Sequence, residues 1–431
     1  MPMESPLEPL LDGRTKGFPA AAGLLRLGQV GSMGWNVLAE DLPLPLAVLK
    51  ETALRHNSAW MRAFQDLTGV ALAPHGKTSM SPQLFRRQLD DGAWGITVAT
   101  VQQLRVCRAY GVTRVLMANQ LVGRQAITYV LDELARNPTF VFYALADSVA
   151  AVDALAAAAA VRRPGRSLDL LVECGVNGGR AGCRSLAAAL AVARRIKAAE
   201  PYLRLAGVEG YEGSVPGPTP DQQERRIAEF VGFVGEVAEC CADEGLFGAD
   251  PVILSAGGSA YFDMVTSLPR QLGPRATQVV IRSGCYLTHD SDAYARAAVR
   301  MRERTPAIAS LGEGLRDALE VWSYVQSTPE AGLAILTMGK RDVSHDLHLP
   351  YARVALRPGR DARPRQLPPD CEVTALNDQH AYLRTTEGAD LAVGDMIGCA
   401  ISHPCTTFDK WRFLPIVDDD YDVVDAVATY F

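Results

Sequence analysis

The chain has 431 residues, 48% of them hydrophobic, enough for two domains, or for a barrel of about 250 residues with a smaller second domain. Its net charge of −6 is interspersed, with no basic stripe for nucleic acid, no apolar run near the roughly 18 residues a membrane span needs, and no positive-then-apolar leader in Met1–Pro6. Nine scattered cysteines, an odd number in a long chain, read as reduced thiols of a cytoplasmic protein rather than as a disulfide scaffold.

Gly17–Val37 precedes the repeating part of the chain and is expected to join, or pack on, a C-terminal domain. After Leu44–Lys50 a helical pattern runs to about Leu67. Apolar, strand-like runs then alternate with amphipathic ones. The predicted strands are Val70–Pro74, Gly95–Thr100, Arg114–Ala118, Thr139–Leu145, Leu168–Cys174, Arg204–Gly210, Pro251–Ser255 and Gln278–Arg282. Helical stretches between them include Val101–Tyr110, Arg124–Arg136, Ser185–Ala199 and Gln222–Glu244, and helix propensity explains the alanine-rich Ala151–Arg163. Near-continuous apolar strands separated by helices imply a parallel sheet. Eight such units in about 240 residues match a (β/α)8 barrel, with an open doubly wound sheet as the alternative. No Gly-x-Gly-x-x-Gly follows the first strand, which counts against a dinucleotide site. From about Ala307 the segments become short, β-branched and punctuated by Gly and Pro, as in an antiparallel β domain. The organisation read from this is an N-terminal segment over 1–43, a barrel over 44–306 and a C-terminal β domain over 307–431.

In such a barrel the active site lies at the C-terminal ends of the strands. Lys77 follows strand one, Thr100 strand two, Asn119 strand three, Arg180 strand five, and Glu209 and Tyr211 strand six. A lysine at a strand mouth is poorly placed for packing and well placed for Schiff-base chemistry with a carbonyl, as with pyridoxal phosphate. Ser255, Gly257, Gly258 and Ser259 follow strand seven, and Ser283, Gly284 and Cys285 follow strand eight. Each small-residue segment alone also reads as a tight turn. Together, on adjacent strands, they read as a phosphate cradle of backbone N–H groups and hydroxyls. Near the end, His403 and Cys405 stand at i, i+2, both residue types that bind zinc. Two ligands do not make a structural site, but a catalytic zinc keeps positions open; His380 is a further candidate supporter, with a surface histidine as the preferred reading.

Pro74-His-Gly-Lys77-Thr, Gly178-Gly-Arg180-Ala-Gly182, Gly210-Tyr211-Glu-Gly213, the Gly-Gly after strand seven and the closing His403-Pro-Cys405 resemble the D-threonine aldolase and D-serine dehydratase family, pyridoxal phosphate enzymes of the alanine-racemase fold. The likeness runs in order over almost the whole chain and is similar to the D-amino acid deaminase group that includes a D-glucosaminate dehydratase. It implies a barrel of the alanine-racemase type with a C-terminal β domain, and a homodimer in which one subunit's β domain helps close the other's barrel mouth. It further implies pyridoxal phosphate on Lys77, Arg180 facing the pyridine nitrogen, Tyr211 near the cofactor, and a divalent metal at His403 and Cys405. That metal is expected to be zinc, with manganese or magnesium as alternatives. Where many relatives carry His-Lys after Lys-Thr, this chain has Ser79-Met80.

The activity this implies is dehydration of a small D-β-hydroxy amino acid. Lys77 removes the α-proton, and the metal makes the β-hydroxyl a tolerable leaving group. The products are a 2-oxo acid and ammonia. The alternative is retro-aldol cleavage to glycine and an aldehyde. A non-catalytic pyridoxal phosphate carrier would need neither the β domain nor the metal pair.

Overall fold

The computed structural model describes residues 8–431, so the part of the N-terminal segment in 1–7 lies outside the described residues. Eight parallel strands form one sheet: β1 (Ala71–Leu72), β2 (Ile96–Val98), β3 (Arg114–Gln120), β4 (Val141–Ala146), β5 (Leu168–Cys174), β6 (Leu203–Gly210), β7 (Val252–Ala256) and β8 (Arg275–Ile281). Each pairs with the next in chain order from β2 onward. The sheet then closes. Val280 and Ile281 of β8 pair with Ala71 and Leu72 of β1. On the other edge Trp94 N–H donates to Leu72 O (2.7 Å) and Thr97 N–H to Pro74 O (2.9 Å). The barrel, and not the open sheet, is the architecture, and all eight predicted strands are present within a few residues of their expected ends.

The apolar strand runs are explained by burial on both faces. All seven residues of β5 are buried. Ala73, Leu116, Leu145, Leu171, Ala206, Ile253 and Val280 form a separate inner cluster that fills the barrel, while the other strand faces join the larger core under the helices. Many of the helices that wrap the barrel start on hydroxyl caps. Thr100 accepts from Gln103 N–H (3.3 Å), Ser148 from Ala151 N–H (3.3 Å) and Thr219 from Gln222 N–H (3.3 Å), each such cap being worth about 1 kcal/mol.

The C-terminal part forms an antiparallel sheet, with Leu319–Glu330 between Met396–Ala400 and Leu46–Lys50. Leu46–Lys50, placed at the head of the barrel by sequence position, therefore belongs to this sheet, where it also runs parallel to Phe413–Val417. The N-terminal segment packs here too. Phe18 sits edge-on to Trp35 and to Phe413, with both ring centroids 5.7 Å away. Val423 N–H donates to Trp35 O at 2.8 Å. The chain leaving Met396–Ala400 returns over the barrel, where Ser291 N–H donates to Ile401 O (3.2 Å). That crossing carries His403 and Cys405 to the C-terminal ends of the parallel strands.

Candidate active site

A cavity of about 330 Å³ opens at the C-terminal end of the barrel, within the range of roughly 300–1,000 Å³ typical of small-molecule sites. Lys77, Arg180, Tyr211, Gly258, Ser259, Gly284, Cys285, His403 and Cys405 all line it. Residues far apart in sequence thus meet in one place. Asn119 and Glu209 also line it. Thr100 does not: its hydroxyl is the N-cap of the following helix. His380 is exposed in the hairpin between Glu372–Leu376 and Ala381–Arg384, and it too is outside the cavity.

Lys77 lies in a single 3-10 turn, Gly76–Thr78, just beyond β1. Among the described residues its amine has no hydrogen bond or ion pair, so it is free for chemistry. His75 beside it is held neutral: burial, then the charges of Lys77, Arg282 and Arg180, push its pKa well below the ordinary histidine value. Its Nδ1 is buried without a partner among the described residues. The Arg180 guanidinium sits 4.9 Å over the Tyr211 ring, a cation–π contact that orients both.

The floor is acidic and buried. Burial raises the Glu173 carboxyl, which accepts from Gln120 Nε2. Glu209 is pushed up to about 7 by burial, against the pull of Arg282 and with the Glu173 charge adding to the rise. Arg282 Nη1 lies 2.6 Å from Glu209 Oε2, while its aligned hydrogen bonds go to Ser255 Oγ and Gly210 O, both at 2.8 Å. The contact with Glu209 is therefore electrostatic, which is why that carboxylate lacks a well-directed donor.

The expected phosphate cradle is only partly present. Ser255 is fully buried and its hydroxyl serves Val280 O (2.9 Å) and Arg282, behind the cavity. The N–H groups of Gly257 and Gly258 are taken by the buried carboxylate of Glu212, at 2.8 and 2.6 Å. The Ser283 hydroxyl donates to Gly258 O (2.8 Å), tying the two loops together. The amides of Ser259 and Gly284, both on the cavity wall, have no acceptor among the described residues and suit an anion. The glycines keep that wall open. A Cβ at Gly258 would lie 3.0 Å from the Tyr211 ring, and one at Gly284 would lie 2.5 Å from Thr78 Oγ1. A free lysine amine, two open amides and a ring-stacked arginine in one cavity fit a phosphorylated aldehyde cofactor.

At the mouth, His403 Nδ1 and Asp346 Oδ2 are 2.6 Å apart. Burial pulls the His403 pKa down, but Cys405 and Asp346 outweigh it and push it up to about 9. Cys405 Sγ lies 3.6 Å from Cys285 Sγ and 3.4 Å from Thr78 Oγ1. The hydrogen bond from Cys285 is the main cause that holds the Cys405 thiol well below its ordinary pKa, and the same bond holds Cys285 up. Among the described residues, no three His, Cys, Asp or Glu side chains are already gathered as a metal cluster. The donor chemistry nonetheless fits a borderline-soft ion: a thiolate, and an imidazole oriented by a carboxylate.

Two family models match. Residues 49–262 match the alanine racemase N-terminal domain, and residues 318–417 match a putative serine dehydratase domain. The chain belongs to the D-threonine aldolase and D-serine dehydratase family. It is 26% identical over 378 residues to a D-threonine aldolase of Arthrobacter sp, spanning 87% of this chain and 89% of that one. It is 25% identical over 384 residues to the D-threo-3-hydroxyaspartate dehydratase of Delftia sp. (strain HT23), spanning 85% and 92%. The crystal structure of D-threonine aldolase from Filomicrobium marinum superimposes with a TM-score of 0.73 at 22% identity, over 92% of this chain and 97% of that one. These relatives are lyases, and the alanine-racemase fold of the family implies pyridoxal phosphate.

Arg282, a candidate at the end of strand eight, lines the cavity, while the sequence reading missed Thr78, Glu173, Tyr294 and Leu347, which line it too. Glu173 was visible as a charged residue at a strand end. Tyr294 and Leu347 lie in segments with no local signal.

Proposed function

We propose that this protein is a pyridoxal-phosphate-dependent dehydratase that converts a D-β-hydroxy amino acid to a 2-oxo acid and ammonia. Its divalent ion, zinc by preference, is held by His403 and Cys405. The observation that carries the reading is the meeting, in one cavity, of the free Lys77 amine with the His403–Cys405 pair delivered by the other domain.

Lys77 would hold the cofactor aldehyde, the Ser259 and Gly284 amides its phosphate, and Arg180 and Tyr211 its ring. Pyridoxal phosphate supplies an electron sink that acidifies the substrate α-hydrogen. The metal supplies a Lewis acid for the β-oxygen. Within that setting the Lys77 Nζ is the base that takes the α-proton, its amine being unencumbered by any carboxylate. His75, held neutral beneath it, adds no further positive charge to the cavity. Asp346 fixes the His403 ring through Nδ1 and leaves Nε2 as the ligand atom.

A retro-aldol reading is favoured by the relatives: a D-threonine aldolase at 26% identity and two 3-hydroxy-D-aspartate aldolases at 25%. The family resemblance associates a closing His-x-Cys with dehydratases and His-x-Asp with aldolases, so His403-Pro-Cys405 favours dehydration. The test is product analysis of the purified holoenzyme on D-serine, D-threonine and D-threo-3-hydroxyaspartate. Release of 2-oxo acid with ammonia is expected. Glycine with an aldehyde would replace the reading by its alternative, and no turnover of any D-β-hydroxy amino acid would overturn both.

A further inference from the structure

The loop after β8 carries a thiol that the reading above leaves without a task. Cys285 is 3% exposed, and its Sγ lies 3.6 Å from that of Cys405. Neither cysteine is in a disulfide, and the separation is far beyond the roughly 2.05 Å of an S–S bond. It is close to the distance between two sulfurs bound to one tetrahedral zinc, which Zn–S bonds of about 2.3 Å set at roughly 3.8 Å.

The surrounding structure holds the thiol in place. The Cys285 N–H donates to Ser259 Oγ at 3.2 Å. Gly284 lets the loop press against the turn that carries Lys77: a Cβ there would lie 2.7 Å from His75 Cβ and 2.8 Å from His75 O. Thr78 Oγ1 lies 3.4 Å from one sulfur and 3.9 Å from the other, so both face the same side of that turn. Cys405 is the larger of the two influences that push the His403 pKa up, and the His403 Nδ1 is engaged by Asp346.

We infer that Cys285 is a third protein donor to the metal, making a Cys2His set with one position left open for substrate. The inference rests on the proposed function, in which His403 and Cys405 bind that ion. The two sulfurs already stand at that spacing; His403 is not yet gathered with them, so the ion itself must draw its ring in. Binding replaces the Cys285 S–H bond with a metal–sulfur bond, and the proton leaves to solvent, so no oxidant is involved. A second thiolate makes the site softer, so this chain should select zinc over manganese and magnesium.

The test is zinc K-edge X-ray absorption on the zinc-loaded holoenzyme, beside Cys285→Ser and Cys285→Ala proteins whose folding is checked by their cofactor absorbance. The unaltered enzyme should show two sulfur neighbours at roughly 2.3 Å, and each variant one. Zinc affinity should fall in both variants by at least roughly 10–100-fold, while manganese affinity stays unchanged. One sulfur neighbour in the unaltered enzyme would overturn the inference and leave the His403–Cys405 site standing. No sulfur neighbour, or no zinc bound, would overturn both. A Cys285–Cys405 disulfide in the peptide map of the enzyme as isolated would also overturn it. Because the unaltered enzyme decides the sulfur count, the inference is testable even if both variants fail to fold.

Discussion

Lys77 draws its meaning from what it lacks. Lysines near strand ends are ordinarily solvated or paired with acids; this one faces a cavity and, among the described residues, is ion-paired to none of the acids in it. Lys77→Ala should abolish the visible cofactor absorbance and cut turnover by roughly 10²–10⁴-fold, the range of a positioned general base. Borohydride should fix the cofactor on the peptide containing Lys77, and label on another lysine would refute the assignment. Glu209 makes a different prediction. Its folded pKa of about 7 lies above the ordinary 4.5, so between those values the folded state holds a proton that the unfolded state has released. Stability therefore declines as pH rises from about 4.5 to 7, and is level above that. Glu209→Gln removes this dependence. Relative to the unaltered protein, the variant should gain up to about 3 kcal/mol between pH 4.5 and 8, read from urea unfolding at each pH. A difference that does not change with pH would show that Glu209 is charged throughout.

At the level of elements, the loops after β7 and β8 and the turn after β1 form one unit. Ser283 Oγ bonds Gly258 O, Cys285 N–H bonds Ser259 Oγ, and Gly284 packs against Thr78 and His75. Gly284→Ala forces backbone and hydroxyl to give way. It should cost about 1–3 kcal/mol, as overpacking does, and weaken pyridoxal phosphate binding more than it weakens folding. Thermal unfolding with and without cofactor separates the two effects. A variant with unchanged cofactor affinity would remove this loop from the phosphate site. The Glu212 contact explains why Gly257 and Gly258 are not equivalent to Gly284 here: a buried carboxylate already satisfies their amides.

At the level of the whole molecule, the cavity is left open to solvent. Lys77 and Arg180 are both exposed at its mouth. A lyase that handles a reactive amino acid intermediate gains by excluding water, which strengthens every charge interaction inside. The expected cover is a second copy of this chain, as the family resemblance implies. Sedimentation at working concentration should give a dimer, and dilution below its dissociation should lower activity in parallel. A fully active monomer would contradict this. Among the described residues no helix is long and apolar enough to cross a membrane.

The strands, the barrel repeat and the residues Lys77, His403 and Cys405 were legible in the chain alone, because strand periodicity, turn punctuation and motif spacing are local properties. The family followed from motifs that keep their order whatever the packing. What only the tertiary structure decided depends on contacts between distant segments. The pairing of β8 with β1 chose the barrel over the open sheet, and the pairing of Leu46–Lys50 with Leu319–Glu330 moved that segment to the antiparallel sheet. Glu212 took two amides that glycine spacing had offered to a phosphate, and Cys285 came within 3.6 Å of Cys405. No periodicity encodes such meetings; they arise where two loops, each locally unremarkable, are carried to the same end of one barrel by strands whose pairing spans the chain.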